Sequence, residues 1–552
     1  RAAGCKSLPK RRKTAEKVEI PGAPSALSPD PAPRPPRPRP GAPVRLVSRP
    51  GAPHKSFPKV QKIRNITGTS GQAINNTCRG AFFMEKYSDN FEENVKYFGE
   101  LVQPDKNFDM IVKKIKIAGK KATLFMIDSF TKDELMEKLL EYFSDLKEDD
   151  IPGSADEMAD LIPHIEVDVE YSPVKSIVPL MQGMVVMFLE GFDNVFLIDC
   201  RTYPQRSVSE PWKNRVLRGS RDGFVESIAG NVGLIRRRVR TKDFRVEALS
   251  AGRLSKTDIA IAYIDGLADK KLLDNIKKRI KTINVDALTM NIESLAETLL
   301  KGSYINPFPK FKYTERPDSA AAAVFDGNIV VLIDNSPAVM ILPTSIFDIA
   351  EEADDYYFPP VTGTYLKLSR YCIAVFSLIL TPVWVLLLNN PGSVPEWLKF
   401  VLIEEHSSTV PVLLQLFILE FAIDGLRLAA VNTPTLLSTP LSVIAGIVVG
   451  EYAVSSGWFD PESMLYMAFV SIGTYTQASF EIGYAIKFFR LIILVLTWFF
   501  NIWGFTAGIL IFILCLVFNR TISEKSYIYP IIPFNWNMLK RKLFRIRLGK
   551  EK

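Results

Sequence analysis

The stretch LLQLFILEFAIDGLRLA (Leu413–Ala429) is apolar enough for lipid, yet it carries Glu420, Asp424 and Arg427. Steps of four and three residues return to the same side of a helix, so the three charges share one face. A charge at the centre of a bilayer costs about 2.5–3.5 kcal/mol on insertion scales, so this face must meet protein, water or the membrane interface. Glu420 and Asp424 repel each other unless a cation is near. The spacing makes Arg427, three residues after Asp424, the expected partner. Two readings follow. The helix lies on the membrane surface with its polar face in water, or the face lines an ion path formed between subunits.

Outward from that stretch, the last third of the chain is strongly apolar. YCIAVFSLILTPVWVLLL (Tyr371–Leu388) has 18 residues without a charge, long enough to span a bilayer, and Pro382 is tolerable inside a bundle. PLSVIAGIVVGEYAVSSGWF (Pro440–Phe459) is shorter and glycine-rich, and SMLYMAFVSIGTYTQASFEIGYAI (Ser463–Ile486) follows it. LIILVLTWFFNIWGFTAGILIFILCLVF (Leu491–Phe518) has 28 residues, too many for one straight pass and too few for two. Asn501 and Gly504 near its middle are expected to mark a kink or a re-entrant turn. Lys367 and Arg370 before the first span, and the basic terminal run KRKLFRIRLGKEK, place both flanks in the cytoplasm. The number of passes is therefore expected to be even, four by this reading, although Lys487 and Arg490 then occupy an outside turn. Gly446 and Gly450 have the GxxxG spacing that lets helices approach closely, within one subunit or between subunits. Glu451 beside them, and Gln477 and Glu481 in the next segment, call for partners or water.

Residues 84–350 read as a cytosolic α/β region of one or two subdomains. KKATLFMID (Lys120–Asp128) has the pattern of a buried strand, and TKDELMEKLLEYFSDL after it reads as an amphipathic helix with Thr131 as N-cap. VVMFLEGFDNVFLID (Val185–Asp199) and GNIVVLIDNSPAVMILPTSIFD (Gly327–Asp348) read as β-hairpins. DIAIAYIDGLAD is a further strand and KKLLDNIKKRIKTI the helix that follows. The expected architecture is this α/β region, an α-helical multi-pass transmembrane domain over residues 365–520, and a basic cytosolic tail over 521–552.

Residues 1–83 differ from the rest. PDPAPRPPRPRPGAPVRLVSRPGAP cannot bury a core and favours polyproline II or disorder. This segment has 17 of the chain's 68 Lys/Arg and 3 of its 60 Asp/Glu, so the net charge of +8 divides into +14 here and −6 over the remainder. The first methionine is Met84. The expectation is a fragment artefact or an upstream in-frame extension, with an Arg-rich binding arm as the alternative. Because the basicity belongs to the tail, no nucleic-acid partner is expected.

Five scattered cysteines and three histidines give no disulfide framework or metal-ligand spacing. No nucleotide loop or nucleophile–base motif is present, so neither cofactor nor enzymatic activity is expected. In the charge-dense run Glu210–Arg240, the turn RGSRDGF could present backbone N–H groups with Arg218 or Arg221 to an anion. The plainer reading is a structural turn with solvated arginines. Paired carboxylates such as Asp149-Asp150 and Asp354-Asp355 read as solvated surface.

RGSRDGFVESIAGNVGLIRRRVR, YTERPDSAAAAVFDGNIVVLIDNSPAVMILPTSIFD, RLAAVNTPTLLSTPLSVIAGIVVGE, SIGTYTQASFEIGYAIKFFRL and YIYPIIPFNW, in that order, resemble the A-type subunits of the GerA family of spore germination proteins. The resemblance runs from about Phe108 to Asn535. It implies a large cytosolic N-terminal part and a multi-pass membrane part in the inner membrane of the bacterial endospore. It also implies homo-oligomers, as pentamers, whose pores release monovalent cations early in germination. The implied partners are the lipid bilayer and other membrane proteins of the germination machinery, among them a transporter-like and a lipoprotein subunit. It supplies no catalytic residues. The chain departs from the family pattern before Met84, and at TYTQAS, where Gln477-Ala478 stands in place of a proline-containing turn. The alternative function is a non-conducting scaffold or sensor whose cytosolic domain binds a partner or ligand.

Overall fold

The computed structural model describes residues 84–203, 216–300, 306–402, 408–432, 446–519, 521–523 and 526–546; the expectations for residues 1–83, and for part of Pro440–Phe459, lie outside them. The first unit runs α1 (Phe91–Val102), β1 (Met110–Ile117), β2 (Lys120–Ile127), α2 (Asp133–Asp145), α3 (Ala155–Leu161), β3 (Val167–Glu170), α4 (Pro173–Met181), β4 (Val185–Leu189) and β5 (Val195–Ile198). The second repeats that order. It runs α5 (Ile228–Arg236), β6 (Phe244–Ala251), β7 (Thr257–Ile264), α6 (Lys270–Lys281), α7 (Ile292–Leu299), β8 (Lys312–Thr314), α8 (Pro317–Phe325), β9 (Ile329–Ile333) and β10 (Val339–Leu342).

Both sheets are antiparallel and have the same topology, β1-β2-β4-β5-β3 and β6-β7-β9-β10-β8. The entry to each leading hairpin is closed alike, Asp128 N–H donating to the Asp109 carbonyl and Asp265 N–H to the Asp243 carbonyl, both at 2.8 Å. The β1–β2 loop needs only Ala118 and Gly119, both at positive φ (49° and 82°), as a two-residue hairpin turn requires. Thr131 does not cap α2. Its hydroxyl donates to the Ile127 carbonyl, and the helix begins two residues later at Asp133.

Each sheet is covered on both faces. Leu124 and Met126 of β2 face α2 and α3, while Phe125 between them faces α1 and α4, the period of two that places alternate side chains on opposite sides. In the second unit Ile259 and Ile261 meet α6 and α7, while Ala260 and Ala262 meet α5 and α8. The units are joined at a buried contact. Arg236, at the end of α5, is fully buried and forks onto Asp109 at 2.7 and 2.8 Å, with its guanidinium over the Phe244 ring. Asn107 Oδ1 accepts from Val246 N–H beside it.

From Ser345 onward the described secondary-structure elements are helices. A capping box, Ser345 with Asp348, starts α9 (Ile346–Ile349), followed by α10 (Asp354–Tyr357) and α11 (Pro360–Asn389). The opening stretch is α12 (Val412–Asn432). After a short π-helical turn at Gly446–Tyr452 come α13 (Pro461–Tyr475), α14 (Phe480–Val517) and α15 (Trp536–Leu543). Two of these, α11 and α14, are long and apolar enough to cross a membrane. Trp384, Leu416, Leu419, Met467 and Leu494 unite α11 to α14 in one core.

The helix boundaries correct the sequence expectation. Ser463–Ile486 is not one helix: the chain turns at 476–479, so a bend forms at Gln477-Ala478 without a proline. Lys487 and Arg490 are in no exposed turn, since α14 begins at Phe480 and buries both. Helix α14 itself folds back at Asn501 (φ 54°, ψ −133°). Phe489 packs edge-on against Phe512, and Cβ atoms added at Gly508 and Gly504 would stand 3.0 Å from the Ile493 Cα and 1.8 Å from the Leu496 carbonyl oxygen. These pairs close symmetrically on Asn501, which defines a tight helical hairpin. Its tip is tied to the end of α11 by reciprocal amide bonds between Asn501 and Asn390, at 2.6 and 3.0 Å.

Candidate functional site

The polar face of α12 turns into the bundle, not toward water. Glu420 accepts from Arg490 Nη2 with both oxygens, at 2.8 and 2.7 Å, and lies 3.0 Å from Lys487 Nζ. Lys487 also pairs with Asp424. Arg490 Nη1 reaches the Ser377 carbonyl of α11 at 3.4 Å. Two acids one turn apart on α12 thus meet two bases three residues apart on α14. The four formal charges cancel, which removes the like-charge repulsion between Glu420 and Asp424. Exposure rises along the stripe, from 10% for the Glu420 side chain to 32% for Asp424. The network is sealed at one end and open at the other.

The remaining polar candidates are placed elsewhere. Arg427 is not the partner of Asp424. Its guanidinium lies over the rings of Phe480, Tyr484 and Tyr475, at 4.5, 5.0 and 5.5 Å, because the turn after α13 brings those aromatics beneath it. Gln477 donates to the Gly473 carbonyl, and Glu481 accepts from Ser479 Oγ, so each closes the same turn locally. Glu451 is exposed on the π-helical turn. Among the described residues, a Cβ on Gly446 or Gly450 would meet nothing within 4 Å. Among the described residues, a GxxxG pair that brings backbones together is Gly504 and Gly508, in GFTAG, inside the hairpin.

A second charged cluster joins the sheets to the foot of α11. Lys367 pairs with Glu351 at 2.5 Å, and Arg370 with Glu352 at 2.6 Å and Asp355 at 2.9 Å. Lys542 of α15 pairs with Asp348. Gly363 lies so close that a Cβ would stand 2.1 Å from the Asp355 carbonyl oxygen. Burial alone would raise the Asp348 carboxyl, but Lys542 and Ser345 outweigh it and hold it below the usual aspartate range. Glu351 is likewise held down by Lys312, Lys367 and Lys542 against its burial. Asp355 is therefore buried and paired, not solvated surface, while Asp149 and Asp150 are exposed as expected.

The RGSRDGF turn is a latch onto this cluster. Arg238 holds Asp222 at 2.6 Å and Ser220 Oγ at 3.0 Å, and Arg316 reaches the Ser220 carbonyl at 2.9 Å. Gly219 (φ 116°) lies against Tyr357, where a Cβ would be 2.3 Å from the ring. Arg218 and Arg221 are exposed and make none of these contacts, so they do not converge on an anion pocket. The fully buried arginine of this run is Arg236, masked in sequence by its neighbours in RRRVR. Among the described residues no group of His, Cys, Asp and Glu side chains is arranged to hold a metal ion.

Comparison with known proteins agrees with the sequence resemblance. The family model described as Bacillus/Clostridium GerA spore germination protein matches residues 97–552. Stage V sporulation protein AF of Bacillus subtilis (strain 168) is 35% identical over 461 residues, 82% of this chain and 92% of that protein. Spore germination protein KA of the same organism is 28% identical, over 69% of this chain and 70% of its own. A crystal structure of the N-terminal domain of the A subunit of the Bacillus megaterium spore germinant receptor GerK3 is 23% identical, covering 47% of this chain and 97% of that domain, with a TM-score of 0.37.

Proposed function

The chain belongs to the GerA family of spore germination proteins, and on that premise we propose that it is a multi-pass, homo-oligomeric membrane subunit of the germination machinery that conducts monovalent cations. The observation that carries this reading is the Glu420–Arg490–Lys487–Asp424 network. Ionised groups within an apolar bundle are expensive, and such residues mark ion pathways more often than packing. A sealed ion pair opening onto the half-exposed Asp424 carboxylate suits a gate beside a cation-attracting mouth. The backbone break at Asn501 supports the same reading, since non-helical backbone at membrane depth is tolerated where it is held by protein or lines water.

The protein sits in the spore inner membrane with an even number of passes and both ends cytosolic. Enclosing Lys487 and Arg490 removes the basic outside turn that would oppose this orientation. The experiment is cation efflux from potassium-loaded vesicles carrying the full-length chain. Efflux is expected from the wild type and its loss from Glu420→Ala and Asp424→Ala. Vesicles that retain their ions with the wild type, or efflux unchanged in both variants, would overturn conduction through this face. A non-conducting anchor is favoured by one observation, that each charge of the network finds its partner within one chain. That reading predicts full function from the α/β units tethered by an unrelated helix.

A further inference from the structure

The segment after the helical hairpin carries an apolar surface that the bundle does not cover. Phe534 and Trp536 are 68% and 59% exposed, and Ile531 and Ile532 beside them 44% and 46%. They lead directly into α15, whose Lys540 and Arg541 are also exposed, whereas Lys542 is turned inward to Asp348. The segment is fixed at both ends across the base of the bundle. At one end Tyr527 is fully buried beside Phe308, which stacks on Phe489 and meets Phe512 in the two limbs of the hairpin. At the other, Arg545 N–H donates to Thr364 Oγ1 at the foot of α11. Those anchors set its height: it lies where the apolar helices end.

We propose that residues 531–541 form a lipid-docking surface, with Ile531, Ile532, Phe534 and Trp536 seated among the headgroups and Lys540 and Arg541 paired with anionic lipid phosphates. Three observations select lipid as the occupant. The patch follows directly on Tyr527 and Ile528, which pack with Leu378, Ile486 and Phe489 of the spanning helices. Its large residues include a tryptophan, the side chain suited to a boundary with an apolar body and a polar edge. Its two free-facing cations complement a phosphate layer, and no acidic residue stands between Ser526 and Arg545 to oppose that charge. The pattern of apolar face with adjoining basic residues is that of an interfacial helix.

This proposal rests on the bundle crossing the bilayer, and the test separates the two. The full-length chain is reconstituted in phosphatidylcholine vesicles, with or without phosphatidylglycerol, and tryptophan emission is quenched by lipids brominated near the headgroup or by aqueous acrylamide. The emission lost on Trp536→Phe is expected to be quenched by the brominated lipid and shielded from acrylamide. Phosphatidylglycerol is expected to raise the thermal midpoint of the wild type, and Lys540→Gln/Arg541→Gln to abolish that shift with its midpoint in phosphatidylcholine unchanged. Trp536 emission open to acrylamide would overturn the proposal and leave the face for a protein partner or a second copy. An undiminished phosphatidylglycerol shift in the double variant would overturn the charge pairing. If the tryptophans remaining in Trp536→Phe were also untouched by brominated lipid, the membrane reading itself would fail.

Discussion

Arg236 and Arg490 are enclosed cations whose carboxylates lie on distant elements, Asp109 on the way into β1 and Glu420 on α12. A buried pair of this kind is sensitive to loss of one member, because the survivor is left charged and unsolvated, at about 3–5 kcal/mol. Asp109→Ala is therefore expected to lower the thermal midpoint of the full-length protein in nanodiscs severely. The matched apolar double variant Asp109→Leu/Arg236→Met should recover most of the loss; equal losses in both would contradict the pairing. Spacing alone revealed Glu420 and Asp424, since it puts both on one helical face. Their partners were not legible because Lys487 and Arg490 lie 63 and 70 residues further on, and the nearer cation, Arg427, is drawn to an aromatic cage that a turn between two helices assembles.

The α14 hairpin and α15 are the elements whose placement can be tested directly. A methyl group at Gly504 would overlap the Leu496 carbonyl, so Gly504→Ala should separate the limbs. The expected outcome is a lower thermal midpoint and weaker crosslinking between cysteines at positions 489 and 512, with Gly446→Ala near wild type as the control. The docking of α15 depends on Asp348, whose carboxyl is depressed in the folded state. A depressed acid contributes stability that is complete above its unfolded value, about 3.9, and is lost as pH falls through the folded one. Hydrogen exchange over residues 538–544 is thus expected to be slow at neutral pH and to rise below about pH 4. Lys542→Gln should produce the same rise at neutral pH; exchange independent of both would contradict the contact. Apolar runs made β2, β4, β5, β7, β9 and β10 readable. The leading strand β1 was hidden by Lys113, Lys114 and Lys116 on its outer positions, and β6 by its own polar face, so the duplicated order of the two sheets appears only once their hydrogen bonds are seen.

At the scale of the whole molecule, two matching α/β units are clamped by Arg236, latched through the RGSRDGF turn to a charged collar, and so coupled to the foot of α11. The sheets are thereby joined to the helix whose Ser377 carbonyl also contacts Arg490. The apolar helices and the acidic stripe could be read from composition and spacing, but the collar could not, because Asp355 and Lys367 look like solvated charge until the units close around them. Admission of cations by the face of α12 is the core of the proposed function. It is tested most directly by the permeability of potassium relative to chloride through the reconstituted full-length chain, wild type against Asp424→Asn, a change at the half-exposed end of the network that leaves the Glu420–Arg490 pair in place. Cation preference is expected in the wild type, and a marked loss of it in the variant. A wild type that does not conduct, or the same preference in both proteins, would contradict it.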